Sequence, residues 1–272
     1  MTGAHRQIIA ITEERRAAEL ARLVENLGRI PLVAPTVSVE DAVDRESVDR
    51  LCRRLRDGTV DWVVFQTGIG VQRLLAAIAD DERREVIAAL GRCRLAARGP
   101  KPRQALAAVG LAVDLAPAEP TTRGLVEAFA ALDLAGRTIA IQHTGDDNEE
   151  LRQALLARGA EVLDVALYRY GPPRDPEKVH DLIDHLAAGR VAAVTFTSSP
   201  AVRGLFAFAR QEARSEDLHN GLAATVVAAV GPTTAATLRD HGVAPSVIPA
   251  RSAMGAMLVE LARVLDRAVT LA

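Results

Sequence analysis

The stretch WVVFQTGIGVQRLL, residues 62–75, joins a short apolar run directly to a helical pattern. A short run of apolar residues is typical of a buried strand, and apolar residues at spacings of three and four indicate a helix. The stretch AVTFTSSPAVRGLF, residues 193–206, has the same pattern, and its Phe196 lies 131 positions after Phe65. The two stretches therefore predict two copies of one strand–helix unit.

Other segments of the chain repeat at nearly the same offset. The matching pairs are ARGPKPRQAL (97–106) with AVGPTTAATL (229–238), PTTRGLVEAF (120–129) with RSAMGAMLVEL (251–261), IIAIT (8–12) with TIAIQ (138–142), and Gly28 with Gly159. Independent matches at one offset are the signature of an internal repeat. We therefore predict that most of the chain is a duplication.

Apolar runs and helical patterns alternate along the whole chain. Helical spacing is clear at Ala17–Leu27 and at Glu149–Leu156. The predicted strands are Gln7–Thr12, Ile30–Ala34, Trp62–Gln66, Arg94–Arg98, Thr138–Gln142, Glu161–Leu167, Ala192–Thr197, Thr225–Val230 and Ser246–Pro249. Such alternation predicts parallel sheets with helices on both faces. The predicted fold class is α/β, with two similar doubly wound parallel-sheet domains.

The composition argues against several classes of partner. The 35 acidic and 33 basic residues nearly cancel, so no overall field favours DNA or an anionic membrane. Only 3% of the residues are aromatic, which leaves few platforms for stacking single-stranded bases. We predict neither a nucleic-acid partner nor membrane binding.

The cysteines and the N-terminus predict a compartment. Cys52 and Cys93 share no metal-type spacing with a histidine or with each other, and two free thiols are typical of a reducing cytoplasm. The N-terminal MTGAHRQ lacks the apolar region of a signal peptide, and no long uncharged apolar stretch is present. We expect a cytoplasmic monomer.

Each repeat places hydroxyl residues or Gly-Pro where a strand ends and a helix begins. Hydroxyl side chains there are natural N-caps, and Pro100 and Pro232 suit the first position of a helix. In doubly wound sheets the carboxyl ends of the strands form the binding crevice. The pattern therefore predicts a ligand site between two such rims.

Four motifs occur in an order that resembles one family. They are APAEPTTRGLVEAF (116–129), GAEVLDVALYRYGPP (159–173), VTFTSSPAVRGL (194–205) and VGPTTAATL (230–238). Together they resemble the uroporphyrinogen-III synthases, over Thr12 to Leu261. The resemblance implies one domain of residues 1–37 plus 173–272 and another of 38–172, joined by a hinge of two segments near Val37–Glu40 and Tyr168–Pro172. The residues alone also allow two tandem domains split near residue 131.

The resemblance also implies a reaction. The family cyclises hydroxymethylbilane, a linear tetrapyrrole with eight carboxylates, to uroporphyrinogen III with inversion of the last pyrrole ring and without a metal or cofactor. Tyr168 matches the tyrosine proposed as the general acid of that family. The residues expected to bind the substrate are Thr67, Gly68, Arg98, Lys101, His143, Thr197, Ser198, Ser199, Arg203 and Thr234.

Each of these assignments has a structural alternative. Tyr168 could be a packed residue of the hinge, with Tyr170 expected on the opposite face of the strand. The serines and threonines could be helix caps only, and Arg103 and Arg203 could be solvated charges. Lys101 is expected in a loop at Gly-Pro, where a binding role is favoured.

Four rim positions depart from the pattern of the family: Glu13, Gln66, Pro102 and Thr144. An acidic residue in place of an arginine weakens carboxylate binding if it contacts the substrate. Relatives of this domain also form the front half of bacterial transcriptional regulators, and TGIG and ARGPK are similar to that branch. No DNA-binding module is expected after the last helix. The alternative function is therefore a non-catalytic domain that senses a tetrapyrrole or another metabolite.

Overall fold

The computed structural model of the protein describes residues 7–143 and 149–271. Its strands are β1 (Ile8–Ile11), β2 (Ile30–Val33), β3 (Ser38–Asp41), β4 (Trp62–Phe65), β5 (Arg94–Ala97), β6 (Thr138–Gln142), β7 (Glu161–Val165), β8 (Tyr168–Gly171), β9 (Val191–Phe196) and β10 (Val226–Ala229). Its helices are α1 (Ala17–Asn26), α2 (Arg45–Arg56), α3 (Gly68–Ala77), α4 (Asp80–Leu90), α5 (Pro100–Ala107), α6 (Thr122–Ala130), α7 (Glu149–Leu156), α8 (Pro176–Ala187), α9 (Ser199–Gln211), α10 (Ser215–Ala223), α11 (Pro232–Asp240) and α12 (Met254–Leu271).

The chain forms two compact units. Unit 1 consists of Met1–Val39 and Gly171–Ala272, and unit 2 of Glu40–Tyr170. The sheet of unit 1 has the strand order β10-β9-β1-β2, and the sheet of unit 2 has the order β5-β4-β6-β7. All neighbouring strands in both sheets run parallel. The predicted α/β class with parallel sheets is therefore confirmed.

The two sheets show the duplication strand by strand. Strands β9, β10, β1 and β2 of unit 1 occupy the places that β4, β5, β6 and β7 occupy in unit 2. Phe65 pairs with Gln142, and Thr195, the residue before Phe196, pairs with Ile11. Gln142 and Thr12 are therefore equivalent residues in the two sheets.

The chain passes between the units within two paired strands. β3 and β8 form a separate two-stranded sheet, and the boundaries of the units fall inside them. The sequence predicts a single strand over 161–167, whereas the structure ends β7 at Val165 and begins β8 at Tyr168. The predicted strand at 246–249 is reduced to one bridge between Val247 and Ala228.

The local signals at the helix ends act as the sequence predicts. Pro100 and Pro232 are the first residues of α5 and α11, where the missing N–H of proline costs no hydrogen bond. Gly28 and Gly159 follow α1 and α7 with φ angles of +72° and +79°, a conformation that favours glycine at a helix end. Among the helices that the structure describes, none has the length and apolar character needed to cross a membrane.

Candidate active site

Each unit has a helix that begins directly at the carboxyl end of a central strand. Thr67 follows β4 and caps α3, because its Oγ1 accepts a hydrogen bond from the Gly70 N–H at 3.0 Å. Ser198 follows β9 and caps α9 by accepting from the Ala201 N–H at 3.3 Å. Helix starts of this kind favour anions by roughly 0.3–1 kcal/mol each. The predicted caps are confirmed, and each unit has a rim suited to carboxylates.

Tyr168, the predicted acid, lies at the rim of unit 2. Its side chain is 2% exposed, and its phenol oxygen lies 2.8 Å from Thr67 Oγ1. The Arg73 guanidinium, from α3, lies over the ring at 5.8 Å from its centroid and pairs with Asp41. The structure therefore brings Tyr168 into contact with Thr67, one of the residues expected to bind the substrate.

The surroundings of Tyr168 include two residues whose roles the sequence did not predict. The Tyr170 ring packs edge to face against Tyr168 at a centroid distance of 5.6 Å. The expectation that the two rings lie on opposite faces is wrong, because residues two apart in a strand share a face. Arg73 was missed because one arginine in a helical pattern has no feature that separates it from a solvated charge.

A buried glutamine, Gln142, connects the ends of β6 and β4. Its Oε1 accepts hydrogen bonds from the backbone N–H groups of Gln66 and Thr67, both at 3.2 Å, and from Thr67 Oγ1 at 3.4 Å. Its Nε2 donates to the His143 carbonyl oxygen. The repeat held a signal for this residue: Gly70 stands where the second copy has Ala201, and a Cβ at Gly70 would overlap the Gln142 amide.

Gln66 and Arg98 extend this network along the rim of unit 2. Gln66 is 2% exposed, and its Nε2 donates to the Gln142 carbonyl oxygen at 3.3 Å. Its Oε1 accepts from Arg98 Nη1 at 3.3 Å, and the same nitrogen donates to Thr122 Oγ1 at 3.4 Å. Gln66, a departure from the family pattern, therefore holds the predicted binding residue Arg98 at the rim.

His143 follows β6 and is half-buried beside a carboxylate. Its Nε2 lies 2.5 Å from Asp164 Oδ1, and Arg152 Nε donates to Asp164 Oδ2 at 3.1 Å. The hydrogen bond from His143 lowers the pKa of Asp164, partial burial opposes this effect, and Arg152 adds to it. Asp164 therefore orients the imidazole of His143.

The structure corrects the predicted position of Lys101 and gives Gly68 a packing role. Lys101 is exposed, but it lies in the first turn of α5 and not in a loop, because Pro100 begins that helix. A Cβ at Gly68 would lie 2.9 Å from the Lys101 carbonyl oxygen. Gly68 therefore allows the close packing of α3 on α5. Pro102 is buried in the same turn.

The rim of unit 1 collects the hydroxyl residues of the second repeat. Buried Thr197 donates to the Glu13 carboxylate. Ser199 Oγ accepts from Thr237 Oγ1 at 2.8 Å and donates to the Thr233 carbonyl oxygen at 3.4 Å. Thr234, 4% exposed, lies in the first turn of α11.

Two further predicted positions stand apart from these contacts. Arg203 is exposed in the second turn of α9, where the guanidinium is open to solvent. Thr144 lies outside the described residues. Within residues 7–143 and 149–271, no three histidine, cysteine or acidic side chains are grouped as metal ligands.

The chain matches known proteins over nearly its whole length. The family model described as "Uroporphyrinogen-III synthase HemD" matches residues 18–259. The "Uncharacterized protein YjjA" of Bacillus subtilis is 32% identical over 94% of both chains. The "Putative uroporphyrinogen-III synthase" of Methanothermobacter thermautotrophicus is 35% identical, over 91% of this chain and 94% of its own. The crystal structure of a mutant uroporphyrinogen III synthase from Thermus thermophilus superimposes with a TM-score of 0.75 at 28% identity, and the match covers 96% of this chain and 99% of that one.

Proposed function

This chain belongs to the uroporphyrinogen-III synthase family, and on that premise we propose that it cyclises hydroxymethylbilane to uroporphyrinogen III. The reaction removes water from the terminal hydroxymethyl group of the linear tetrapyrrole, which leaves a reactive azafulvene. The last pyrrole ring is then inverted and the macrocycle closes. The protein must supply a proton for the departing hydroxyl group and donors for the carboxylates.

The observation that carries the proposal is the contact between Tyr168 and Thr67 at the start of α3. The phenol of Tyr168 has one O–H proton that it can donate. Its 2.8 Å hydrogen bond to Thr67 Oγ1 holds the phenol oxygen beside a helix start, where an anionic substrate is favoured. General acid assistance of this kind is worth roughly 10²–10⁴-fold in rate.

We assign the substrate carboxylates to the rims. In unit 2 the N–H groups at the start of α3 and the side chains of Arg98, Lys101 and His143 are the donors. In unit 1 the donors are the N–H groups at the starts of α9 and α11 and the side chains at or near these starts. These side chains are Thr197, Ser198, Ser199, Arg203 and Thr234. Charge-assisted hydrogen bonds from such groups are the stronger kind.

One observation favours the second candidate, a domain that binds a tetrapyrrole or other anionic metabolite without converting it. The Glu13 carboxylate accepts a hydrogen bond from the Thr197 hydroxyl, which is one of the donors assigned to the substrate. A negative charge there repels a substrate carboxylate. This second function predicts saturable binding without product.

We further propose that the protein acts as a cytoplasmic monomer and without a metal or cofactor. Cys52 and Cys93 are both unpaired thiols, which fits a reducing compartment.

The test is an isomer assay, because hydroxymethylbilane also closes unaided to the unrearranged isomer. Fresh hydroxymethylbilane is incubated with the protein, the products are oxidised, and uroporphyrin I is separated from uroporphyrin III. We expect isomer III in proportion to the protein concentration. Isomer I alone, formed at the rate seen without protein, would reject the synthase, and calorimetry with linear and cyclic tetrapyrroles would then test the binding function.

The Tyr168→Phe variant tests the acid directly, since it keeps the ring and removes the proton. We expect the rate of isomer III formation to fall by roughly 100-fold or more. Tyr170→Phe is the matched control, because it removes the hydroxyl of the neighbouring ring in the same strand. Full activity of Tyr168→Phe would rule out Tyr168 as the acid and leave the family assignment intact.

A further inference from the structure

The contacts of Gln142 determine which way its side-chain amide points. Two backbone N–H groups, of Gln66 and Thr67, lie 3.2 Å from its Oε1, and the His143 carbonyl oxygen accepts from its Nε2. A reversed amide would place its NH₂ group against two donors and its oxygen against an acceptor. Hydrogen-bond chemistry therefore permits one orientation, with Oε1 toward Thr67.

This orientation sets the direction of the Thr67 hydroxyl. Thr67 has a single hydroxyl proton, and Gln142 Oε1 at 3.4 Å can only accept. The Thr67 oxygen already accepts from the Gly70 N–H at 3.0 Å. Its remaining lone pair faces the Tyr168 phenol at 2.8 Å, a contact in which either oxygen can donate. The one arrangement that makes all three contacts of Thr67 Oγ1 hydrogen bonds at once has the phenol as the donor.

We propose that Gln142 is a positioning residue: by drawing the Thr67 proton to itself, it makes the Tyr168 phenol a proton donor to Thr67. The catalytic consequence rests on the proposed function, in which Tyr168 is the acid. When the hydroxyl group of the substrate arrives, the phenol O–H turns from one neutral acceptor to another, at little net cost in hydrogen bonding.

The other groups around Tyr168 act on its ring. Arg73 lies over the ring face and pairs with Asp41, and Tyr170 meets the ring edge to face. On the paired strands, Arg169 bonds to Glu40. None of these residues contacts Gln142 in the described hydrogen bonds, so their influence cancels when variants of Gln142 are compared.

The second repeat supplies a natural control. Unit 1 has Thr12 in place of Gln142 and Ala201 in place of Gly70. Thr12 Oγ1 donates to the Thr195 carbonyl oxygen at 2.9 Å and remains within its own sheet. A Gly70→Ala/Gln142→Thr variant therefore installs a pair of side chains that this fold already accommodates, and it removes the acceptor for the Thr67 proton.

The experiment reads the donor state of the phenol by Raman spectroscopy. The chain contains two tyrosines, so in a Tyr170→Phe background the tyrosine doublet, whose intensity ratio separates a donating from an accepting phenol, comes from Tyr168 alone. We expect a donating phenol in the Tyr170→Phe parent. In Gln142→Met, and in the Gly70→Ala/Gln142→Thr variant, Thr67 can donate instead, and we expect the ratio to move toward an accepting phenol.

The isomer assay adds a kinetic readout. We expect Gln142→Met to lower kcat for isomer III about tenfold with KM nearly unchanged, since the residue acts through Tyr168 and not on the substrate. An accepting phenol in the parent, or the same ratio in parent and variants, would overturn the inference. A shift in the Raman ratio without isomer III from any protein would leave the role of Gln142 standing and reject the synthase function.

Discussion

The rims of the two units keep the same helix caps but differ in the residues around them. Thr67 and Ser198 each follow a central strand and cap the next helix. Beyond the cap, unit 2 has Gln142 with Gly70, and unit 1 has Thr12 with Ala201. The long side chain of Gln142 occupies the space that a Cβ at Gly70 would need. The pair in unit 2 ties the cap to its neighbouring strand, whereas the pair in unit 1 does not.

A second pair of equivalent positions differs in the same manner. In unit 1 a Cβ at Gly204 would overlap Val37 and the Thr36 carbonyl oxygen, so α9 packs closely on this segment. In unit 2, Arg73 stands at the position equivalent to Gly204, and Tyr168 at the position equivalent to Val37. The Arg73 guanidinium there lies over the Tyr168 ring. The comparison teaches that the two units keep the same capping and glycine signals in the backbone. Exchanges of side-chain size give the rim of unit 2 a buried phenol beside a guanidinium.

The largest expected effect on stability comes from breaking the pair in unit 2. We expect Gly70→Ala to lower the free energy of unfolding by about 2 kcal/mol, because the new Cβ displaces the Gln142 amide and leaves buried N–H groups without an acceptor. Urea unfolding measures the change.

Two matched variants make this test specific. Gly255→Ala lies in α12 with nothing within 4 Å of the new Cβ, and we expect it to be neutral or stabilising by up to about 1 kcal/mol. Adding Gln142→Thr to Gly70→Ala should recover about 1 kcal/mol of the loss, as neighbouring sites are not additive. Equal costs for Gly70→Ala and Gly255→Ala would show that the Gly–Gln pair is not a packing unit.

An intermediate effect is expected from the two caps. Thr67→Ala and Ser198→Ala should each lower the free energy of unfolding by about 1 kcal/mol, since each removes one N-cap hydrogen bond. Thr67→Ala should also change the Raman doublet of Tyr168, because Thr67 contacts the phenol, and we expect no such change in Ser198→Ala. Thr67→Ser retains the hydroxyl and should restore both properties. An altered doublet in Ser198→Ala would contradict this division of roles.

The smallest effect concerns the residues that follow two equivalent strands, His143 after β6 in unit 2 and Glu13 after β1 in unit 1. His143 is held by Asp164, whose pKa is lowered in the folded protein. A lowered folded pKa contributes stability above the unfolded pKa of about 3.9, and this stability is lost as the pH falls through the folded value. Asp164→Asn should therefore cost up to about 1 kcal/mol at neutral pH and nothing in strong acid.

Urea unfolding of wild type and Asp164→Asn over a range of pH checks this expectation. Asp81→Asn, which removes an exposed carboxylate of α4, is the control for the loss of one negative charge. A cost for Asp164→Asn that persists unchanged below the unfolded pKa would show that the carboxylate is held by packing and not by its charge.

Much of the fold could be predicted from periodicity and repetition. The strand at Thr138–Gln142 and the helix at Glu149–Leu156 have the predicted limits, and Pro100 and Pro232 begin helices as expected. The caps Thr67 and Ser198 were also predicted, because a hydroxyl residue between a strand and a helix is a common N-cap. The pairing of β1 with β9 required the family resemblance, since the repeat alone allowed tandem domains.

The candidate site was predictable only in part. Tyr168 was found through the resemblance, and its hydrogen bond to Thr67 joins residues 101 positions apart. Gln142 and Arg73 were missed, because a polar residue at the end of a strand and an arginine in a helix are ordinary in sequence. Lys101 was predicted in a loop but lies in the first turn of α5, and Tyr170 was predicted on the opposite face of the strand from Tyr168 but packs against it.

The sequence by itself predicted the strands of the two four-stranded sheets, the capped helix starts and the duplication, because these depend on residues close together in the chain and on a repeated pattern of apolar side chains. Only the tertiary structure decided which polar groups meet at the rims. Gln142, Thr67 and Tyr168 lie at the ends of three different strands, and the fold brings their polar groups to distances of 2.8–3.4 Å. The hydrogen bonds that these groups form depend on contacts between distant parts of the chain, and no local pattern of residues predicts them.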